Sequence, residues 1–441
     1  MDQLYAGYGR TDVTPQYSVP IAGSAATRIS EGVDDPLFVT FVALRQGEKT
    51  FLIATMDFVG AYAEYAAPLR TNVSQATGIP EEFVILNCTH THSSVNVRNG
   101  EAEGIVQYRK ELTRGAIDAA KKALEDLSPA EVFYGSTYAK GMAWVRHYKM
   151  ADGTYAGANY GSFKKSTIVG HASEADTQMQ IIKFVRPAED KKDIVLMNFP
   201  AHGTIHKSLL LSADFPGPFR AYVAEKTDTL VAYFIAGAGD QVPSSRVPEE
   251  NFSTDYRAYG EELGRIAVEC MQKLTRLEFT ELRYSHRTFT GKSNQEGLDR
   301  LNEALKVKEI WDQVGGRGTP EGKAAAKEHG FSSVYQVTAI LNRVNLGKTR
   351  SAELKAMSVG NVAVIFAPYE MFGASAMYIK ENSPYAMTFV VSCSYNHDGY
   401  LPSKLGWQLQ CYEAQITRFA PGTAEQLAEE YVDILTKMKE C

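Results

Sequence analysis

Short apolar runs that end abruptly in polar, histidine- or tyrosine-bearing clusters recur along this chain. Phe83 to Asn87 runs into Cys88-Thr89-His90-Thr91-His92, and Ile194 to Asn198 runs into Phe199-Pro200-Ala201-His202-Gly203. Val362 to Ala367 leads to Pro368-Tyr369-Glu370, and Met387 to Val391 leads to the polar stretch from Ser394 to Pro402. Apolar runs this short, bounded by turn residues, read as buried strands, because a helix needs about ten residues or more. Ligands bind preferentially where the ends of such strands open.

The remaining pattern sets the fold class. Val39 to Leu44 and Thr50 to Met56 predict strands paired across Gln46-Gly47-Glu48, with further strands over Val132 to Tyr134, Met179 to Val185 and Val231 to Ile235. Ala352 to Val359 and Val362 to Ala367 flank Gly360-Asn361 as a hairpin. Helical patterns cover Ala61 to Thr77, Glu101 to Leu127, Pro216 to Thr229, Tyr256 to Leu274, Gly297 to Trp311, Pro320 to His329 and Ala424 to Met438. Hairpins mixed with helical connections predict an α/β fold: one large domain over residues 1–441, with mixed β-sheets packed in layers and outer helices. The polar, glycine-interrupted segment 291–348 reads as a helical insertion or lid within it.

Composition narrows the function classes. A net charge of -6 without a basic stripe argues against a nucleic-acid partner. Cys88, Cys270, Cys393, Cys411 and Cys441 are scattered and form no CxxC pair, which argues against a disulfide framework and a cysteine zinc knuckle. The N-terminus shows no leader pattern, and no apolar stretch is long enough to span a bilayer. The expectation is a cytoplasmic protein, or a secreted one if a leader was trimmed. Stable membrane insertion is not expected, and a homo-oligomer is left open.

His90 and His92 follow a buried strand two residues apart, so in extended backbone both side chains point into one cleft. His202 ends another strand. His206 lies at the spacing of an HExxH pair, but Gly203, Thr204 and Ile205 are poor helix formers, which makes His206 a polar neighbour. Glu370 is expected to open the next helix, where it either partners the helix dipole or supplies an anionic ligand. In the segment after Met387 to Val391, the chemistry of the side chains alone favours His397 or Asp398 as a ligand over Tyr400, whose phenol would have to lose a proton. Arg146 is a candidate substrate clamp beside Trp144 and Tyr148. Asp57 is a candidate supporting residue, and Gly237-Ala238-Gly239-Asp240 could present backbone N–H groups to an anion.

Taken in order, these segments resemble the catalytic domain of the neutral/alkaline ceramidase family. The resemblance rests on Gly7-Tyr8-Gly9-Arg10-Thr11-Asp12-Val13-Thr14-Pro15, Thr89-His90-Thr91-His92-Ser93, Ala201-His202-Gly203, Gly239-Asp240, the Pro-x-Glu step at Glu370 and the tyrosine-rich segment at Tyr400. It implies a zinc ion on His90, His202, Glu370 and Tyr400, with His92, Arg146 and Tyr412 lining the substrate site. It also implies hydrolysis of an N-acyl amide such as ceramide. The chain departs from the family pattern at Val95-Asn96-Val97, where a glycine-rich turn is usual, and in having no leader and no C-terminal immunoglobulin-like domain. These departures favour an N-acyl amide smaller than long-chain ceramide. Two rivals remain: a hydrolase of a small soluble amide or peptide with the same zinc chemistry, and a non-catalytic binding protein on this fold.

Overall fold

A computed structural model describes residues 2–24, 28–98, 103–157 and 166–440. Three mixed sheets carry the fold. The first runs in the order 84–88, 49–56, 38–46, 4–12 and 128–129. The second runs 230–235, 194–199, 178–185, 131–138 and 275–276. The third runs 282–292, 349–359, 362–366 and 387–391. Each is antiparallel except at one edge, where 49–56 pairs in parallel with 84–88, 194–199 with 230–235, and 362–366 with 387–391.

The strands are apolar on both faces because both faces are covered. Val42, Leu44 and Ile53 of the first sheet share one central core with Ile182, Phe184 and Phe234 of the second and Val362, Phe366 and Phe389 of the third. The alternate residues of the first two sheets, among them Phe41, Ala54, Val195 and Tyr233, pack under helices that supply Leu69, Leu112, Phe219 and Leu263. The opposite face of the third sheet, including Ile365 and Val390, is covered by Ile379 and by Leu427 and Tyr431 of the closing helix. Burial of each such large side chain contributes about 1.5–3 kcal/mol. The Glu103–Glu125 helix lies directly on the Leu4–Asp12 strand, so a Cβ at Gly7 or Gly9 would overlap the carbonyl oxygens of Ala123 or Ala119. This close approach explains the Gly-x-Gly that opens the chain.

The expected hairpins and helices occur with shifted ends. The first helix spans Ala63–Thr77 and closes on Gly78, whose φ of 74° is left-handed. Glu101 and Ala102, assigned to the second helix from sequence, lie outside the described residues. Two long strands escaped the sequence reading: Leu4–Asp12 and Leu282–Lys292. The second covers the start of the proposed insertion, so the helical part is limited to Leu301–Gln313, Pro320–Glu328 and Val334–Arg343, with a small core of its own around Val307, Trp311 and Phe331. Cys88, Cys270, Cys393 and Cys411 are free and buried, while Cys441 lies outside the described residues. Among the described residues no helix is long and apolar enough to cross a membrane.

Candidate metal centre

The three parallel edges open at the same place. Asn198 Nδ2 at the end of one strand donates to the Phe234 carbonyl at 3.0 Å and to the Val390 carbonyl at 3.2 Å. Asn87 accepts from Ser394 Oγ at 2.5 Å and donates to the Ala54 carbonyl at 2.9 Å. Buried side-chain hydrogen bonds thus lace the ends of strands from all three sheets. His90, His202, Glu370 and His397 emerge from these ends.

His90 has a left-handed φ of 66°. The expectation that extended backbone aligns His90 with His92 is therefore corrected: the chain turns at His90, and the two imidazoles meet by that turn, Nε2 to Nε2 at 3.2 Å. The turn is held by His90 N–H donating to the Phe58 carbonyl at 2.9 Å. His92 N–H donates to the Gly203 carbonyl at 2.9 Å, which docks the two histidine segments side by side.

The hydrogen bonds settle which ring nitrogens carry protons. A carbonyl oxygen can only accept, so a ring nitrogen bonded to one must carry a proton, and in a neutral imidazole the other nitrogen then keeps its lone pair. His90 Nδ1 lies 2.5 Å from the Val59 carbonyl, His202 Nδ1 3.0 Å from that of Gln241, and His92 Nδ1 3.1 Å from that of Gly23. All three Nε2 atoms are consequently lone-pair donors, and they form a group whose members lie within 4.8 Å of one another. Glu370 Oε2 sits 3.3 Å from both His90 Nε2 and His202 Nε2. Neither His202 Nε2 nor Glu370 Oε2 has a hydrogen-bond partner, though both are buried. Burial, aided by His90, pushes His202 down to about 4, and burial holds His92 well below its ordinary value, so protonation does not relieve the cluster. The His90 and His202 nitrogens beside a buried carboxylate, with His92 Nε2 close to both, fit a bound cation.

Glu370 does not open a helix. It forms a two-residue parallel bridge with Tyr400, and the next helix begins at Gly373, so the dipole-partner reading falls away. The pairing sets Tyr400 directly beside Glu370. His397 Nε2 lies 3.3 Å from the other Glu370 oxygen, Oε1. The Asp398 carboxylate is occupied by Arg350 at 2.7 Å and Arg418 at 2.6 Å, which takes it out of the cluster. His206 is bonded to Ser93 at 2.9 Å and Asp34 at 3.1 Å, away from the centre. Gly239 offers no N–H to an anion, since it donates to the Met371 carbonyl at 2.8 Å. The backbone approaches so closely there that a Cβ would lie 2.4 Å from the Glu370 carbonyl oxygen. Val95 and Val97 point into the core and not toward the site.

Arg146 is buried beside the cluster with its guanidinium 5.4 Å from the centroid of the Tyr400 ring, and the Tyr400 ring lies 5.9 Å from that of Tyr412. Trp144 and Tyr148, expected to flank a substrate, are buried. The sequence takes Gln241 only as the last residue of the Gly237-Ala238-Gly239-Asp240-Gln241 turn, and it gives no sign of Val59, Glu413 or Tyr335. Gln241 and Val59 act through backbone carbonyls, which no side-chain motif reveals. Glu413 accepts from Arg146 Nε at 2.7 Å and lies 3.0 Å from His147 Nε2. Tyr335 of the helical insertion stacks edge-on against Tyr412 at 4.8 Å.

Neither a family model nor a curated protein matches this sequence. Solved structures do. Neutral ceramidase from Pseudomonas aeruginosa superposes with a TM-score of 0.75 at 16% identity, over 100% of this chain and 75% of that one. This chain has a neutral-ceramidase fold. A ceramidase complexed with C2 gives a TM-score of 0.72 at 14% identity, over 100% of this chain and 76% of that chain. The neutral-ceramidase fold accounts for the layered mixed sheets and for a likeness that spans the whole chain.

Proposed function

We propose that this chain is a zinc-dependent hydrolase of N-acyl amides, with His90, His202, Glu370 and Tyr400 as the metal ligands. The observation that carries this reading is the convergence of the His90 and His202 Nε2 atoms on the buried Glu370 carboxylate, with His92 Nε2 beside them. Mixed imidazole and oxygen donors suit zinc. Bound zinc supplies a Lewis acid for the amide carbonyl and brings the pKa of a water to roughly 7. Tyr400 fits as the oxygen ligand beside Glu370; burial and the Glu370 carboxylate push its phenol well above its ordinary value, so its phenolate would need the metal, with the Arg146 guanidinium favouring the same form. His92, neutral and open at Nε2, accepts the proton of the attacking water and passes it to the departing amine. Arg146 and Tyr412 orient polar atoms of the substrate, and the 301–343 helices, through Tyr335 on Tyr412, act as a lid.

Purified protein is expected to carry one zinc per chain. Removal of the metal by a chelator should abolish cleavage of N-acyl amides, and added zinc should restore it. Elemental analysis together with a panel of short and long N-acyl amides and ceramide in detergent checks this. Metal-free protein that binds no zinc, or zinc protein that cleaves none of the panel, would refute the reading. Arg146→Ala is expected to lower kcat/KM about 10–100-fold, because it removes the fixed positive charge beside Tyr400 that orients a polar substrate atom. A loss of less than about threefold, under roughly 1 kcal/mol, would make Arg146 a bystander.

A further inference from the structure

We infer that Glu413 is a positioning residue: it clamps Arg146 against Tyr400 and thereby fixes the guanidinium that faces the substrate. This rests on the amide-hydrolase reading above. A guanidinium next to a cation-binding centre is repelled by the ion it accompanies, so it stays there only if an anion holds it from behind. Glu413 is that anion. Its Oε1 accepts from Arg146 Nε at 2.7 Å and lies 2.5 Å from Nη2, and the residue is only 1% exposed. Arg146 Nη2 also donates to the Gly239 carbonyl at 2.9 Å, and its backbone N–H to the Asp240 carbonyl at 2.9 Å. The side chain is therefore fixed from several directions, and its plane is set by Nε and Nη2 converging on the one oxygen Oε1 of Glu413.

The other oxygen of Glu413 is taken by His147 Nε2 at 3.0 Å. With buried Cys411, these two residues form a second group with the make-up of a metal site. The Arg146 cation already sits on the Glu413 carboxylate, so a second metal ion would meet a fixed positive charge; the cluster is a clamp. The short helix Tyr412–Ile416 carries the two roles on neighbouring residues, Tyr412 beside Tyr400 and Glu413 on Arg146. A shift of that helix would move both together.

A double-mutant cycle tests the clamp. Zinc-loaded wild type, Glu413→Gln, Arg146→Ala and the double variant are compared for kcat, KM and zinc content. Glu413→Gln should lower kcat/KM about 10–100-fold with zinc content unchanged, and the same change on an Arg146→Ala background should cost less than twofold. Glu413→Asp keeps the charge and should recover part of the loss, and it serves in place of Glu413→Gln if that variant does not fold. Phenylglyoxal labelling of Arg146, read by mass spectrometry, needs no substrate. Arg146 should be protected in wild type and labelled at least tenfold faster in the clamp variant. Equal labelling, or a loss that is fully additive in the cycle, overturns the inference. If wild type cleaves no N-acyl amide while the labelling difference is present, the functional reading and the substrate-facing role fall together; labelling then shows only a structural clamp.

Discussion

His202→Ala is expected to release zinc and to lower kcat/KM by at least about a thousandfold, a loss of about 4 kcal/mol at 1.36 kcal/mol per decade. Loss of a residue that merely orients a metal-binding histidine already costs about 10–100-fold in affinity or activity. Removing the ligand itself must cost more. His92→Ala provides the contrast. If His92 moves protons and does not hold the metal, that variant should keep its zinc after dialysis yet lose most of its turnover. Metal analysis after dialysis, with kcat/KM on the best amide of the panel, reads both. Full zinc content in His202→Ala would remove His202 from the ligand set, and zinc loss in His92→Ala would add His92 to it.

The second large effect is on stability. Arg220→Met is expected to destabilise the fold by about 3–5 kcal/mol, because it leaves one member of a buried ion pair without its partner. Arg220 and Asp57 meet through two bonds of 2.8 Å, and Asp57 is fully buried. Asp57 also accepts from the Phe38 N–H at 2.9 Å and from Thr89 Oγ1 at 3.1 Å. The pair thus joins the Pro216–Thr227 helix to the end of the Lys49–Met56 strand and to the residue just before His90. Urea unfolding should show a lower midpoint with little change in slope. Changing Asp57→Asn in the same chain should recover part of the loss, because the stranded charge is then gone. A loss under about 1 kcal/mol would mean that water or another cation reaches Asp57, and that the pair does not anchor this strand end.

Much of the framework was legible from local pattern. Runs such as Val84–Cys88 and Ile194–Phe199 are buried at every position and apolar except at Asn87 and Asn198, and the sequence marks them as doubly covered strands. Their polar terminations marked where chemistry would sit. The helix Ala63–Thr77 and the closing helix Thr423–Glu440 announced themselves by periodicity and, for the first, by Gly78. The strand Leu282–Lys292 was not legible. It is an outer strand of its sheet in which only Leu282 and Gly291 are buried, and its alternation is built from Ser, His, Arg and Thr, which carry little hydrophobic contrast.

At the site, the sequence by itself determined which side chains were available: strand-end histidines at 90 and 202, a carboxylate at 370, and a choice among His397, Asp398 and Tyr400. Tertiary structure decided how they combine. Asp398 lies as near to Tyr400 in the chain as a ligand might, but Arg350 and Arg418 claim its oxygens from distant segments. Glu370 reads like a helix start and is instead bridged to Tyr400. The left-handed turn at His90 is held by its backbone N–H on the Phe58 carbonyl and its ring Nδ1 on the Val59 carbonyl. Arg146 and Glu413 are 267 residues apart and meet through the packing of a short helix. The reason is physical. Periodicity records whether a residue faces a core or solvent, which depends on near neighbours in the chain. Convergence of strand ends from three sheets depends on buried hydrogen bonds and ion pairs between segments hundreds of residues apart, and those partners leave no local trace.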